Sequence, residues 1–215
     1  MEILKLPTSL RQITLEQWVQ WDEVYGKKLA KKAMSIPVEH EDELMLFNYE
    51  LNLKYYCHYT NTSLEELNYF LDGKPEFKIE VIKVVCESQM MIFREMCELK
   101  ENSIPEQFSF NDSKWSIVPP VKVQKPEDLT IKEFDLSQAI ALIFSELQGG
   151  NSQALYELCA AYLRPNGFPF AGTKKQEIEL MKSLPLHIAL CVKRYVEETF
   201  VVYSMIGRDV NATTS

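Results

Sequence analysis

Residues 75–98 read PEFKIEVIKVVCESQMMIFREMCE, and the fold turns on how this stretch is read. The β-branched run I-E-V-I-K-V-V at 79–85 would suit the start of a strand. It continues without a turn residue into S-Q-M-M-I-F-R-E-M-C at 88–97, which is too long for a strand and predicts a helix over about 76–100. Val81, Val85, Ile92 and Met96 form one apolar stripe, and Ile82, Cys86, Met90, Phe93 and Cys97 form another. A helix apolar on more than one side is buried between partners or lies in an interface.

Working back toward the N-terminus, S-L-E-E at Ser63 is a capping box opening a short helix that ends at Asp72-Gly73. Leu44 to Tyr59 is again two-sided, with Leu44, Phe47, Leu51 and Tyr55 on one stripe and Met45, Tyr49, Leu53 and Tyr56 on the other. Acids at Glu39, Glu41, Asp42 and Glu43 suit its first turn. Earlier still, T-L-E-Q at Thr14 predicts a capped helix running to about Met34, with Leu15, Trp18, Val19, Tyr25 and Leu29 on its apolar side. Lysines 27, 28, 31 and 32 complement the negative end of that helix. Residues 1–13 read as extended.

Toward the C-terminus the pattern changes in kind. Phe108 and Phe110 alternate with polar residues, N-D-S-K follows, and Trp115, Ile117 and Val118 come next, a β-hairpin signal. P-P-V-K-V-Q-K-P then reads as an extended linker or edge strand. Leu136, Ala139, Ile140, Ile143 and Leu147 predict an amphipathic helix stopped at Gly149-Gly150. A second helix carries Leu155, Leu158, Cys159 and Tyr162. The turn-rich R-P-N-G-F-P-F-A-G-T follows, then a third capping box at Thr173–Gln176, then a long helix from near Pro185 to about Ile206. Its Ile188, Val192, Tyr195 and Val202 form the apolar side, while Lys193, Arg194, Glu197 and Glu198 form a solvated stripe. The expected class is mainly α. A helical half at 1–102 and another at 129–207 are joined by a hairpin and Pro-rich linker at 103–128, and 208–215 is a flexible tail.

The composition narrows the chemistry. Acids outnumber bases 31 to 23 for a net charge of -8, which disfavours nucleic acid as the main ligand, since phosphate neutralisation drives that affinity. No stretch has the uninterrupted apolar length of a membrane span. Cys57, Cys86, Cys97, Cys159 and Cys191 show no C-x-x-C spacing. With an odd count and no secretion signal, they read as free thiols of a reducing compartment, packed as five small buried hydrophobes. His40, His58 and His187 make no H-E-x-x-H or Cys/His zinc pattern. Glycine-rich phosphate loops and G-x-S-x-G are missing from the sequence too. The expectation is a non-catalytic chain with no cofactor and no metal. Its aromatic-rich segments nominate Trp18, Trp21, Tyr25, Phe47, Tyr55, Tyr56, Phe168 and Phe170 as candidate interface residues.

Four stretches carry a resemblance: L-P-T-S-L-R-Q-I-T-L-E-Q-W at 6–18, L-T-I-K-E-F at 129–134, A-A-Y-L-R-P-N-G at 160–167, and E-L-M-K-S-L-P-L-H-I-A-L at 179–190. Their layout resembles small helical virion and assembly proteins of tailed bacteriophages of gut Bacteroidetes, crAss-like phages among them. The resemblance implies a neck, capsid-associated or packaged protein with other phage structural proteins as partners, in a virion or the cytoplasm of an infected bacterium. It transfers no active site. A homo-oligomer is compatible with the two-sided helices. Two alternatives stand beside this reading: an assembly chaperone missing from the mature particle, and a small enzyme or host-directed regulator using Cys57, Cys159 or His187.

Overall fold

The computed structural model describes residues 3–37, 39–99, 107–117, 131–166 and 171–198. It is mainly helical, and the chain divides into two compact units, Met1–Glu98 and Leu99–Ser215.

The first unit begins with an extended segment and a 3-10 turn, Leu10–Gln12. Helix α1 (Leu15–Trp21) starts on the expected capping box: Thr14 Oγ1 accepts from the Gln17 N–H at 3.2 Å, and Gln17 Oε1 accepts from the Thr14 N–H at 2.9 Å. The single helix expected to Met34 is interrupted. Asp22–Gly26 forms a π-helical turn before α2 (Lys27–Ser35) resumes. Gly26 has no Cβ at the point where one would stand 2.6 Å from Asp22 Oδ1. Trp21 and Tyr25 meet across the same turn in a tilted contact with centroids 4.8 Å apart.

Helix α3 (Glu41–Thr60) ends at Asn61, whose left-handed backbone (φ 54°) is tolerated by asparagine. Helix α4 (Leu64–Leu71) carries the second capping box, between Ser63 and Glu66. The turn Asp72-Gly73 follows, with Gly73 at φ 65°, a region glycine enters without steric cost. Helix α5 (Pro75–Glu98) starts on proline at its first position, where no N–H is needed. α3 packs on α4 and α5, and α1 and α2 pack on α3. Leu6, Leu53, Tyr56, Leu67, Leu71, Val81 and Val85 form the centre of this core. Glu95 of α5 ties down the chain start by accepting from the Leu10 N–H at 2.7 Å and from Ser9 Oγ at 3.2 Å.

The second unit contains the expected hairpin, β1 (Phe108–Phe110) and β2 (Ser113–Ile117), in antiparallel register with Phe108 opposite Trp115. Asn111 and Asp112 both take positive φ, 45° and 57°, as a tight two-residue hairpin turn requires. Phe108 and Phe110 are the inward residues, with Ser109 exposed between them. The sheet has a third strand, β3 (Leu163–Pro165), that the turn-rich reading of this segment missed. It pairs antiparallel with β2, Trp115 opposite Pro165, and proline is acceptable there because β3 is an edge. Through this pairing the hairpin joins the sheet of the C-terminal unit.

Helix α6 (Ile131–Gln148) ends at the Gly-Gly signal, with Gly150 at φ 90°. Its inner face differs from the expected one. Ile140, Phe144 and Leu147 are buried, while Ile143 is only half-buried. Ile140, Phe144 and Leu147 stand at i, i+4 and i+7, one helical face, and with that line turned inward Ile143 lies at its edge. Leu136 and Ala139 lie outside the residues whose side chains are described. Helix α7 (Ala154–Tyr162) packs on α6 and is buried on nearly every side. Helix α8 (Lys174–Lys182) starts on the third capping box, Thr173 with Gln176. The last helix, α9, covers 186–198. Ile188 and Val192 are buried as expected, and the Tyr195 ring meets Tyr162 edge-on at 5.9 Å. The charged stripe is less solvated than its sequence suggested: Lys193, Glu197 and Glu198 are half-buried, with Lys193 Nζ 2.7 Å from Glu197 Oε1. Val202, the linker at 119–128 and the tail at 208–215 lie outside the described residues.

Candidate interaction surface

Helix periodicity brings most of the nominated aromatic residues into one unit but not onto one surface. α1 ends at Trp21 and α3 lies beside it, so the Trp21 ring meets Tyr55 edge-on at 5.2 Å, His58 at 5.5 Å and Tyr59 at 6.3 Å. Edge-to-face packing of this kind is favourable beyond the area it buries. His58, on the same face of α3, places Nε2 2.7 Å from the Gln17 carbonyl. A carbonyl only accepts, so Nε2 carries the proton. Burial holds the imidazole pKa below its usual value, with the carbonyl contact opposing that shift. Burial likewise pushes the phenol of Tyr59 far up, and the neighbouring Tyr55 adds to it.

Phe47, Tyr55 and Tyr56 are buried inside the N-terminal unit. Tyr56 Oη accepts from the Leu4 N–H at 2.8 Å, and Tyr55 Oη is 3.2 Å from Ser88 Oγ. Tyr55 and Tyr56 are therefore held on the inner side of α3 by α5 and the chain start, while Phe47 is buried with Lys32 Nζ of α2 5.4 Å from its ring centroid. Trp18, Trp21 and Tyr25 are half-buried. Phe168 and Phe170 lie outside the described residues.

The thiols and acids supply little chemistry. Burial raises the Cys57 and Cys159 thiols, the opposite of what a nucleophile needs. Glu39 to Glu43 line an open acidic hollow beside His40. Among the described residues no three His, Cys, Asp or Glu side chains converge as a metal-binding set. One polar pair is better built: Arg164 donates to the carbonyls of Ala160, Ala161 and Leu163, closing the end of α7, and lies 3.7 Å from Glu177 of α8. That contact is structural, joining α7, β3 and α8.

The surface missed by the aromatic nomination lies on α5. Val81, Val85 and Ser88 face inward. On the other stripe Ile82 is half-buried, while Met90 and Phe93 are exposed, and so, against the expected burial of the cysteines, are Cys86 and Cys97, because this stripe turns away from α3. Ile79 extends this stripe by about one more turn and is 71% exposed, with Met90 at 64% and Phe93 at 68%. The signal for it was already in the two-stripe pattern. The choice of which stripe faces out needed the packing of α3. Single exposed apolar residues are ordinary, but a contiguous line of large ones marks a contact surface. Among the described residues no helix is long and apolar enough to cross a membrane. No protein-family model matches the chain, and neither curated proteins nor solved structures give a significant match.

Proposed function

We propose that this chain is a non-catalytic structural or assembly protein of a tailed-phage virion, acting through protein–protein contacts made by the outer face of α5. The observation that carries the reading is the exposed line through Ile79, Met90 and Phe93 on a long, well-anchored helix. Burying a large apolar side chain contributes about 1.5–3 kcal/mol, so covering several of them supports a stable contact. Methionine and aromatic residues are the types enriched at the centre of such interfaces. The phage context comes from the resemblance of residues 6–18, 129–134, 160–167 and 179–190.

Mass spectrometry of purified virions tests the virion role. The chain is expected in the particle at a stoichiometric level. Normal expression during infection without incorporation overturns the virion component and favours an assembly factor that leaves before maturation.

A further inference from the structure

We propose that α5 pairs antiparallel with the α5 of a second copy of this chain, along the stripe Ile79, Ile82, Cys86, Met90, Phe93 and Cys97. The inference rests on reading that stripe as a protein-contact face and names its partner. At 100° per residue these six positions fall within an arc of roughly 80°, and they extend along about 27 Å of helix. This is the geometry of a helix–helix seam.

The choice of occupant comes from the charges beside the stripe. One flank carries Glu76, Glu80, Lys83, Glu87, Arg94 and Glu98, all exposed. Arg94 Nε is 2.9 Å from Glu98 Oε1 within the helix. In an antiparallel pair related by a two-fold axis, a flank faces its own copy, run in reverse. Place the axis midway between residues 90 and 91. Lys83 and Glu98 are then equally far from it on opposite sides, and so are Glu87 and Arg94. Lys83, Glu87, Arg94 and Glu98 thus each meet an opposite charge across the pair, twice each by symmetry, while Glu76 and Glu80 face positions 105 and 101, outside the described residues. The same register centres the seam on Met90, with Phe93 entering between Cys86 and Met90 of the other copy.

A parallel pair brings this flank against the other one, where Lys78 is the one charge beside Gln89 and Met96, so Glu87, Arg94 and Glu98 meet no opposite charge at their own level. Complementarity of this kind selects register and orientation more than affinity.

Size-exclusion chromatography with light scattering on the full chain is the first test. The expected mass is twice 25.0 kDa at tens of micromolar, falling to one chain in Phe93→Glu. A circular dichroism melt checks that this variant still folds, and Met90→Gln, a milder change, should weaken the dimer in the same direction. Glu87→Arg should weaken it at least about tenfold, since like charges then oppose each other twice, and Glu87→Arg with Arg94→Glu should restore it.

A short bis-maleimide then reads the orientation. Cys86→Ser and Cys97→Ser mixed together should cross-link, through Cys97 of one copy and Cys86 of the other. Cys86→Ser alone should not, because the two Cys97 positions lie at opposite ends of the seam. A monomer across that concentration range overturns self-pairing. So does a dimer indifferent to Phe93→Glu, a double charge exchange that does not restore pairing, or cross-linking through Cys97 alone. A monomer that is nonetheless present in virions overturns self-pairing and leaves the virion role standing.

Discussion

Tyr55 Oη lies 3.2 Å from Ser88 Oγ, and Ser88 Oγ in turn donates to the Pro7 carbonyl at 2.5 Å. The serine hydrogen is used by Pro7, so Tyr55 is the donor to Ser88. This short relay joins the extended chain start, α3 and α5 where Ser88 is fully buried. Ser88→Ala leaves a phenol and a carbonyl without their partner in the interior. We expect a loss of about 1–3 kcal/mol, the cost of unsatisfied buried polar groups. Tyr55→Phe removes only the outer donor and should cost less. Urea denaturation of the two single variants and the double variant checks this, and the double should cost less than the sum of the singles.

Stability should fall in mild acid because of His58. Its folded pKa lies below the ordinary 6.5 since burial disfavours the imidazolium. The unfolded chain therefore takes up the proton first as pH drops. The contribution of neutral His58 is fully present above pH 6.5 and is lost progressively as pH falls from there toward the lowered folded value. Thermal melts between pH 8 and pH 5 should show a steeper decline for the native chain than for His58→Gln, which keeps a donor for Gln17 but does not titrate. Parallel curves would assign the acid sensitivity elsewhere.

The two faces of α6 should respond oppositely to charge. Ile140 is 3% exposed and Leu142 is 66% exposed. Ile140→Asp buries an unpaired carboxylate and should destabilise the C-terminal unit by several kcal/mol. Leu142→Asp should change stability by less than about 1 kcal/mol, the usual range for exposed positions. Differential scanning calorimetry of both variants separates the cases, and a Leu142→Asp variant that unfolds first would invert the assignment of faces.

Thiol reactivity should sort the five cysteines by place. Cys86 and Cys97 are exposed, Cys57 is half-buried, and Cys159 and Cys191 are buried. Titration with a chromogenic disulfide, done on the chain diluted below the dimerising concentration or on Phe93→Glu, should give two fast thiols in the folded chain and five after denaturation. The fast phase should disappear in Cys86→Ser with Cys97→Ser.

Much of this architecture was legible because its signals are local. Thr14, Ser63 and Thr173 each precede a glutamine or glutamate by three residues, and all three form closed capping boxes. The bonds in a capping box span one helical turn, so nothing distant is needed to predict them. The Asn111–Asp112 turn and the stop at Gly150 are local for the same reason. Strand β3 was not legible: Leu163, Arg164 and Pro165 become a strand only because β2, almost 50 residues earlier, offers an edge. The π-helical turn at Asp22–Gly26 was hidden as well, since it breaks an otherwise continuous helical pattern without a proline.

By itself the sequence determined that α5 is a helix with two apolar stripes, because periodicity and length are properties of consecutive residues. Only the tertiary structure decided that Val81 and Val85 are core, that Ile92 and Met96 of the same stripe are half-buried and exposed, and that most of the other stripe is surface. Val81 and Val85 turn inward because Leu53, Tyr55 and Tyr56 of α3 and Leu67 and Leu71 of α4 form the groove that receives them. Once that groove is filled, the geometry of one helix leaves Met90 and Phe93 facing away from it. Hydrophobicity is non-directional and ranks the two stripes nearly alike. The partner surface breaks the tie.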